Sequence, residues 1–338
     1  MKYKIINDYQ CVDRNSWSQF VRNHPKGNIF QTPEMYELYV RTKNYEPILV
    51  SVIDNKNNEI YGILLAVIQK EHTGFIGKFS SRSIIWGGPL IKNNNRELLE
   101  MILREYKKIV SDKSIYSQIR NLYKWNNDDS VFISNGFNYV DHYDIHIDLT
   151  KSEDELFMSM SQTRRRNIRK AIKRGINISE IDLNNDDMFK ETYSIIRRLY
   201  KSIGLPLPNS EFFKNSVQVL SKCKYLVGIG AFLKNELIGV RLVLCFNGLI
   251  YDWYAGAKDN FIEYRPNDVL PWAVMKWGMD NGYRTFDFGG AGKPGIPYGV
   301  RDYKLKFGGN LLNFGRFEYI HNNPLYKVGK LALKFYRL

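Results

Sequence analysis

"YLVGIGAFLKNELIGVRLVLCFNGLIYDWYAGA", residues 225–257, decides the architecture. Three runs rich in β-branched and aromatic residues are separated by "KNEL" (234–237) and "FNGL" (246–249), which are turn sequences of the hairpin kind. They predict three consecutive antiparallel strands. Downstream, "NDVLPWAVMKWGMDNGY" (267–283) reads as a helix stopped at Gly282. "RTFDFG" (284–289) follows as a short strand with the apolar character of one buried on both faces. Working outward, "EPILVSVID" (46–54), "EIYGILLAVIQK" (59–70) and "RSIIWGGPLI" (82–91) are strand-like, and "RELLEMILREYKKIVSD" (96–112) is an amphipathic helix. Two successive mixed α/β units account for this order better than one large sheet. The expected fold class is α/β (α+β mixed), with a boundary near residues 148–152. The units are then 1–150 and 151–320, with a terminal amphipathic helix over 321–338.

Composition limits the function classes. At 338 residues, with 44% hydrophobic and 14% aromatic side chains, the chain can fill two cores, which excludes global disorder. A formal charge of +14 and a pI near 9.4 favour polyanions or anionic membranes as partners. Cys11, Cys223 and Cys245 have no metal-ligand spacing and read as small core hydrophobes of a reducing compartment. No signal-peptide core and no membrane-length apolar run is seen, so the expectation is a cytoplasmic protein able to work at the inner face of the membrane.

The charge concentrates in "RRRNIRKAIKRG" (164–175), seven cations in twelve residues. "SEDE" (152–155) has capping-box spacing, and Gly175 supplies a stop, which predicts one helix between them. On its wheel Arg166, Arg169, Lys170 and Lys173 share an arc of about 100°. Phe157, Met160, Ile168, Ala171 and Ile172 lie opposite, toward the core. No acidic residue interrupts the cations between Arg164 and Arg174, as a merely solvated face would usually require.

Two motifs fail. "GGAGKP" (289–294) is not a phosphate loop, because Asp287 and Pro294 occupy positions that need Gly and Ser/Thr. In "HYDIHID" (142–148) the two histidines stand about 13 Å apart along a strand, too far to chelate one metal. That strand is expected to show a polar outer face. No metal is expected.

"TRRRNIRKAIKRGI" (163–176), "YDWYAGA" (251–257), "FDFGGAGKPGIPYGVRDYKLKFGG" (286–309) and "NPLYKVGKLALKFYRL" (323–338) together resemble the FemABX family of peptidoglycan-bridge aminoacyltransferases. The resemblance covers the second half well and the first half only by length and element order. It implies two tandem GNAT-like domains, each a twisted mixed sheet flanked by helices, and no cofactor. The implied reaction moves an aminoacyl group from aminoacyl-tRNA to an amine of a lipid-linked peptidoglycan precursor. Some relatives instead use an acyl thioester, on acyl-CoA or an acyl carrier protein, to modify an amino sugar or lipid amine. A third reading is a non-catalytic RNA- or membrane-binding protein. The Gln/Arg-x-x-Gly-x-Gly/Ala pyrophosphate loop of acyl-CoA enzymes has no match, which lowers the standing of a thioester donor.

The implied chemistry gives residues roles. Asp287, ahead of Gly289 and Gly290, orients or deprotonates the amine, or else caps a turn. Lys304 polarises a carbonyl or meets phosphate, or is simply the inward one of a pair with Lys306. Tyr254 and Asp252 share a strand face and line a cleft. Tyr298 and Arg301 sit in a Gly/Pro-rich loop that can approach a ligand. The implied catalytic residues are Asp287, Lys304 and Tyr254; Arg166, Arg169, Lys170, Lys173, Asp252, Tyr298, Arg301 and Lys306 bind substrate or phosphate. At the C-terminus Lys327, Lys330, Lys334 and Arg337 fall within about 80° of a wheel, opposite Leu325, Val328, Leu331, Ala332 and Phe335. This helix docks either on anionic lipid or on the protein's own core.

Overall fold

The computed structural model describes residues 2–70, 81–125 and 128–336, with side chains as far as residue 329. The chain forms two compact units, Met1–Asp141 with Asn313–Leu338, and His142–Leu312. In chain order the first unit contains β1 (Tyr3–Ile6), α1 (Arg14–Asn23), α2 (Pro33–Arg41), β2 (Tyr45–Asp54), β3 (Ile60–Gln69), β4 (Arg82–Trp86), β5 (Leu90–Ile91), α3 (Arg96–Val110), β6 (Tyr116–Arg120), α4 (Asp129–Ser134) and β7 (Asn138–Val140). The second contains β8 (Tyr143–Asp148), α5 (Glu153–Ser159), α6 (Gln162–Lys173), β9 (Asn177–Glu180), α7 (Asp186–Ser202), α8 (Ser210–Leu220), β10 (Leu226–Leu233), β11 (Glu236–Phe246), β12 (Leu249–Ala257), α9 (Pro266–Asp280), β13 (Thr285–Gly290) and α10 (Gly299–Leu305). β14 (Asn310–Asn313) closes it, and β15 (Arg316–Ile320) and α11 (Asn323–Tyr336) return to the first unit.

The first sheet runs β1-β2-β3-β4-β6-β15-β7, with β5 beside β3. β2 and β3 are apolar at consecutive positions because both their faces are covered. Asn95 caps α3 by accepting from the Leu98 N–H, and Leu98, Ile102, Tyr106 and Val110 then face the sheet at helical spacing.

The second sheet runs β14-β8-β13-β12-β11-β10-β9. Both expected hairpins form, since Lys234–Asn235 and Asn247–Gly248 each place two successive residues at positive φ, as a tight turn matched to strand twist requires. β13 pairs parallel with β12 and antiparallel with β8. One core joins Ile168 and Ala171 of α6, Leu270 and Met275 of α9, and Phe286 and Phe288 of β13.

The basic segment is two helices. Ser152 and Glu155 form the capping box of α5, but Met160 is extended (φ −72°, ψ 153°) and Ser161 caps a fresh helix, α6, through the Arg164 N–H. The break buries Met160, and the change of direction leaves Ile172 57% exposed, not packed in the core. The boundary falls at Asp141/His142, ahead of the expected 148–152, because β8 lies inside the second sheet between β14 and β13. α11 forms, with Lys327 and Val328 exposed; the side chains of Lys330 and Lys334, and Arg337 altogether, lie outside the described residues.

Candidate active site

Pairing of β12 with β13 extends from Leu249–Thr285 to Tyr251–Asp287, and both strands then run on, to Ala257 and Gly290. Register shifts lie on either side of this point, between Leu242 and Val243 on β11 and between Asp287 and Gly290 on β13. The sheet therefore forks at Asp287. Gly289 at φ 67° makes the turn, and a Cβ there would stand 3.1 Å from the Tyr251 hydroxyl. Its N–H donates to Asp287 Oδ1 at 2.6 Å.

Asp287 lies opposite His146 in the β8–β13 ladder, with Asp144 two residues along the same face. His146 Nε2 is 3.3 Å from Asp287 Oδ2. The strand expected to be a polar outer face is thus a buried wall: Asp144 is 7% exposed and Asp287 0%. Burial raises the proton affinity of both carboxyls, but they diverge. For Asp287 the hydrogen bonds and charge of His146, the Asp144 hydroxyl and the Gly289 N–H outweigh burial and hold it below the ordinary carboxyl range. For Asp144, burial and the neighbouring Asp287 charge push it well above. The divergence is that of two close carboxyls that do not readily ionise together, with Asp144 the one that holds a proton more tightly. Ligand atoms of Asp144, His146 and Asp287 lie within 4.8 Å of one another, a spacing that can hold a metal ion. That grouping uses one histidine and a carboxylate from another strand, so the two-histidine distance did not test it.

Lys304, on α10, donates to the carbonyls of Phe288 (2.6 Å), Gly289 (3.2 Å) and Gly290 (2.9 Å) at the fork. Burial lowers its pKa, against the carboxylates of Asp252, Asp144 and Asp287. Asp252 of β12 forms a buried ion pair with Arg241 of β11. Burial would lower Arg241, but Asp252 and Tyr303 more than compensate and raise it. Tyr200 is pushed up to about 12 by burial and by Asp252, so it is a neutral donor at physiological pH, and its ring lies 5.7 Å from that of Tyr254.

The structure thus gathers Asp252, Asp287 and Lys304 around one fork, whereas Tyr254, beyond the register shift at Trp253, packs against Tyr200 and Phe213. Asp287 has no accessible surface, so it reaches an incoming amine only through a neighbour. Arg301 differs from its expected role, because its guanidinium donates to the carbonyls of Lys293 (2.9 Å) and Ile296 (2.6 Å) and so staples the loop ahead of α10. Tyr298, 40% exposed, begins that helix. Lys306 points to solvent. The seven cations divide by task. Arg164 is buried against Asp268 and stacks over Phe307 at 4.2 Å. Arg165 donates to the carbonyls of Met158 and Met160, and Arg174 pairs with Glu263. Arg166, Arg169, Lys170 and Lys173 remain exposed. Asp144, His146, Arg241 and Tyr200 escaped the sequence reading. Only "DIH" carried a signal, a polar alternation that looks the same on a wet face and on a buried one.

Residues 160–305 match the model of the acetyltransferase (GNAT) domain family. An 83-residue stretch is 32% identical to a lipid II:glycine glycyltransferase of Staphylococcus aureus, covering 23% of this chain and 20% of that protein. The matched stretch thus spans about a fifth of the relative's length. Among solved structures, that of FemX superposes with a TM-score of 0.72 at 18% identity, over 96% of this chain and 99% of the other. A tandem GNAT protein from the clavulanic acid biosynthesis pathway gives 0.60 at 8% identity, over 95% and 99%. Fold and matched domain together define the class: a tandem GNAT fold, with residues 160–305 a domain of the acetyltransferase (GNAT) family. Within that class the glycyltransferase stretch and the FemX superposition are what the chain is similar to.

Proposed function

We propose that the protein transfers an aminoacyl group from an aminoacyl-tRNA to an amine of a lipid-linked peptidoglycan precursor. The observation that carries this reading is the pairing, within one unit, of a forked sheet bridged by Lys304 of α10 with the exposed cations of α6. The glycyltransferase relative supports lipid II as the acceptor class. A tRNA and a polyprenyl pyrophosphate are both polyanions, and phosphate contacts by Arg166, Arg169, Lys170 and Lys173 suit either. At the fork a neutral amine attacks an ester carbonyl. Oxyanion charge then develops close to the Lys304 ammonium, in a setting of reduced dielectric. No covalent enzyme intermediate is needed, so the reaction is a direct displacement. Lys327, exposed on α11, adds to the attraction of an anionic membrane, where the acceptor resides.

The test supplies purified full-length protein with lipid II and either glycyl-tRNA or acetyl-CoA, and weighs the lipid product by mass spectrometry. A glycyl adduct formed only from glycyl-tRNA is expected. An acetyl adduct would transfer the assignment to a thioester donor, and no adduct from either would remove it.

A further inference from the structure

We infer that the loops at 203–209 and 291–298, which border the candidate site, form the surface by which the protein seats on an anionic lipid bilayer. This docking takes its purpose from the lipid-linked acceptor proposed above, on which it rests, and its support from exposure and charge.

Thirteen large apolar side chains are exposed among the described residues, and five of them fall in or beside these two loops: Ile203 and Leu205, then Ile296, Tyr298 and Val300. Apolar residues scattered singly over a surface need no explanation, whereas a cluster of them marks a contact. The loops neighbour each other and the site. Segment 291–298 leaves the sheet directly after Gly290, whose carbonyl accepts from Lys304 at 2.9 Å. Segment 203–209 follows α7, and Tyr200 near the end of that helix is acted on electrostatically by both Asp252 and Tyr298. Both loops are braced, so their apolar side chains cannot simply fold inward. Arg301 donates to the carbonyls of Lys293 (2.9 Å) and Ile296 (2.6 Å). The Leu205 N–H donates to the Tyr200 carbonyl at 3.0 Å, and the Tyr193 hydroxyl to that of Pro208 at 3.3 Å.

The charge around these side chains is of one sign. Residues 192–210 carry Arg197, Arg198 and Lys201, residues 288–301 carry Lys293 and Arg301, and neither span contains an acidic residue. Arg197, Arg198, Lys201 and Lys293 are exposed. Aliphatic side chains ringed by cations match the interface of an anionic bilayer, where the apolar groups sink below the headgroups and the cations meet phosphate. Tyr298 suits the headgroup level itself. RNA fits less well, because Ile203, Leu205, Ile296 and Val300 have no π-face on which a base can stack. A second copy of the chain fits less well too, because a symmetric contact would set these cations against one another. Seated on this surface, the site lies beside the bilayer, and an acceptor anchored there reaches it without leaving the membrane.

The test mixes the full chain with vesicles of phosphatidylcholine, alone or with phosphatidylglycerol, and measures the bound fraction by sedimentation. The wild type should bind the anionic vesicles, and less so as salt rises. Leu205→Ser combined with Ile296→Ser should weaken partitioning by roughly 10-fold or more, since two half-exposed aliphatic side chains lose their burial in lipid. Lys201→Gln and Lys293→Gln should weaken it by about fivefold for each charge removed. Val328→Ser, on α11, should have the smaller effect, and a larger one there would move the docking to α11 and overturn the proposal. A wild type that binds no anionic vesicles, or a folded loop variant that binds them as the wild type does, would also overturn it. So would a loop variant altered only in tRNA binding or only in its own self-association, which would give the patch to RNA or to a second copy. Turnover with glycyl-tRNA or acetyl-CoA separates the docking from the transfer reading. The loop variant should match the wild type on a short-chain, water-soluble lipid II analogue and fall behind it on lipid II embedded in vesicles; equal rates on the embedded acceptor would remove the delivery role. If the wild type transfers to neither acceptor, the transfer reading falls and vesicle binding alone decides the docking.

Discussion

The two units share an architecture, a mixed sheet with helices, but bury different polar groups. In the first unit the buried polar side chains are mostly hydroxyls and amides, with Glu34 and Asp54 the ionisable exceptions among the described residues. They satisfy one another locally: Tyr106 donates to Ser83 at 2.6 Å and contacts Ser117 at 2.7 Å, and Gln31 bridges Leu65 and Trp86. In the second unit the buried polar groups are mainly charges: Arg164 with Asp268, Arg241 with Asp252, and Asp144 with Asp287. Neutral networks hold a fold at little electrostatic cost. Buried charges are expensive to desolvate and stabilise a fold only weakly, so their concentration in one sheet is what singles it out as the candidate site.

The largest expected effect separates chemistry from folding. Asp287→Asn should reduce turnover by roughly 10²–10⁴-fold while circular dichroism stays that of the folded protein. Loss of folding would return Asp287 to a turn-capping role. Next comes stability. Asp252→Ala leaves Arg241 buried and uncompensated and should cost about 3–5 kcal/mol in denaturant titration. Tyr106→Phe, which removes one neutral donor, should cost about 1 kcal/mol. Similar costs for the two would erase the contrast between the units. On the surface, Arg169→Ala should weaken binding of a polyanionic substrate by about 1.5–3 kcal/mol without altering the melt, less so at high salt. An unchanged affinity would leave α6 as a solvated face.

The smallest effect sharpens the reading of the two close carboxyls. The raised pKa of Asp144 gives a contribution to stability that is full below the ordinary carboxyl value of 3.8 and is lost as pH rises through the raised one. The lowered pKa of Asp287 acts the other way, present above the ordinary value and lost as pH falls through the lowered one. Asp144→Asn, which mimics the protonated acid, should abolish the fall on the alkaline side and keep the acid-side loss. Denaturant melts across pH decide it, and parallel curves for variant and wild type would assign the proton elsewhere.

Much of this fold was legible in the sequence. The hairpins at 234–237 and 246–249 announce themselves because Asn and Gly tolerate positive φ, and α3 and α9 through their spacing and flanking residues. The candidate site was partly legible: Asp287, Lys304 and Asp252, which the structure brings near one another, stood close to glycines or in a short aromatic strand. Two things were hidden, for physical reasons. Alternation along β8 fixes which residues share a face, but not whether a second layer covers that face. Wheel geometry assumes an unbroken helix, and Ser161 could serve equally as a helix-interior residue or as a cap until Met160 found a pocket.

The return of β15 has a consequence for the order in which the molecule is made. Inserted between β6 and β7, with Phe317 stacked on Phe132 at 4.3 Å, it is an inner strand of the first sheet. The first unit therefore lacks an inner strand until residues 316–320 have left the ribosome, whereas His142–Leu312 is one continuous span. The second unit, with its charged fork, can complete itself earlier in synthesis, and the N-terminal half must wait with β6 and β7 unjoined.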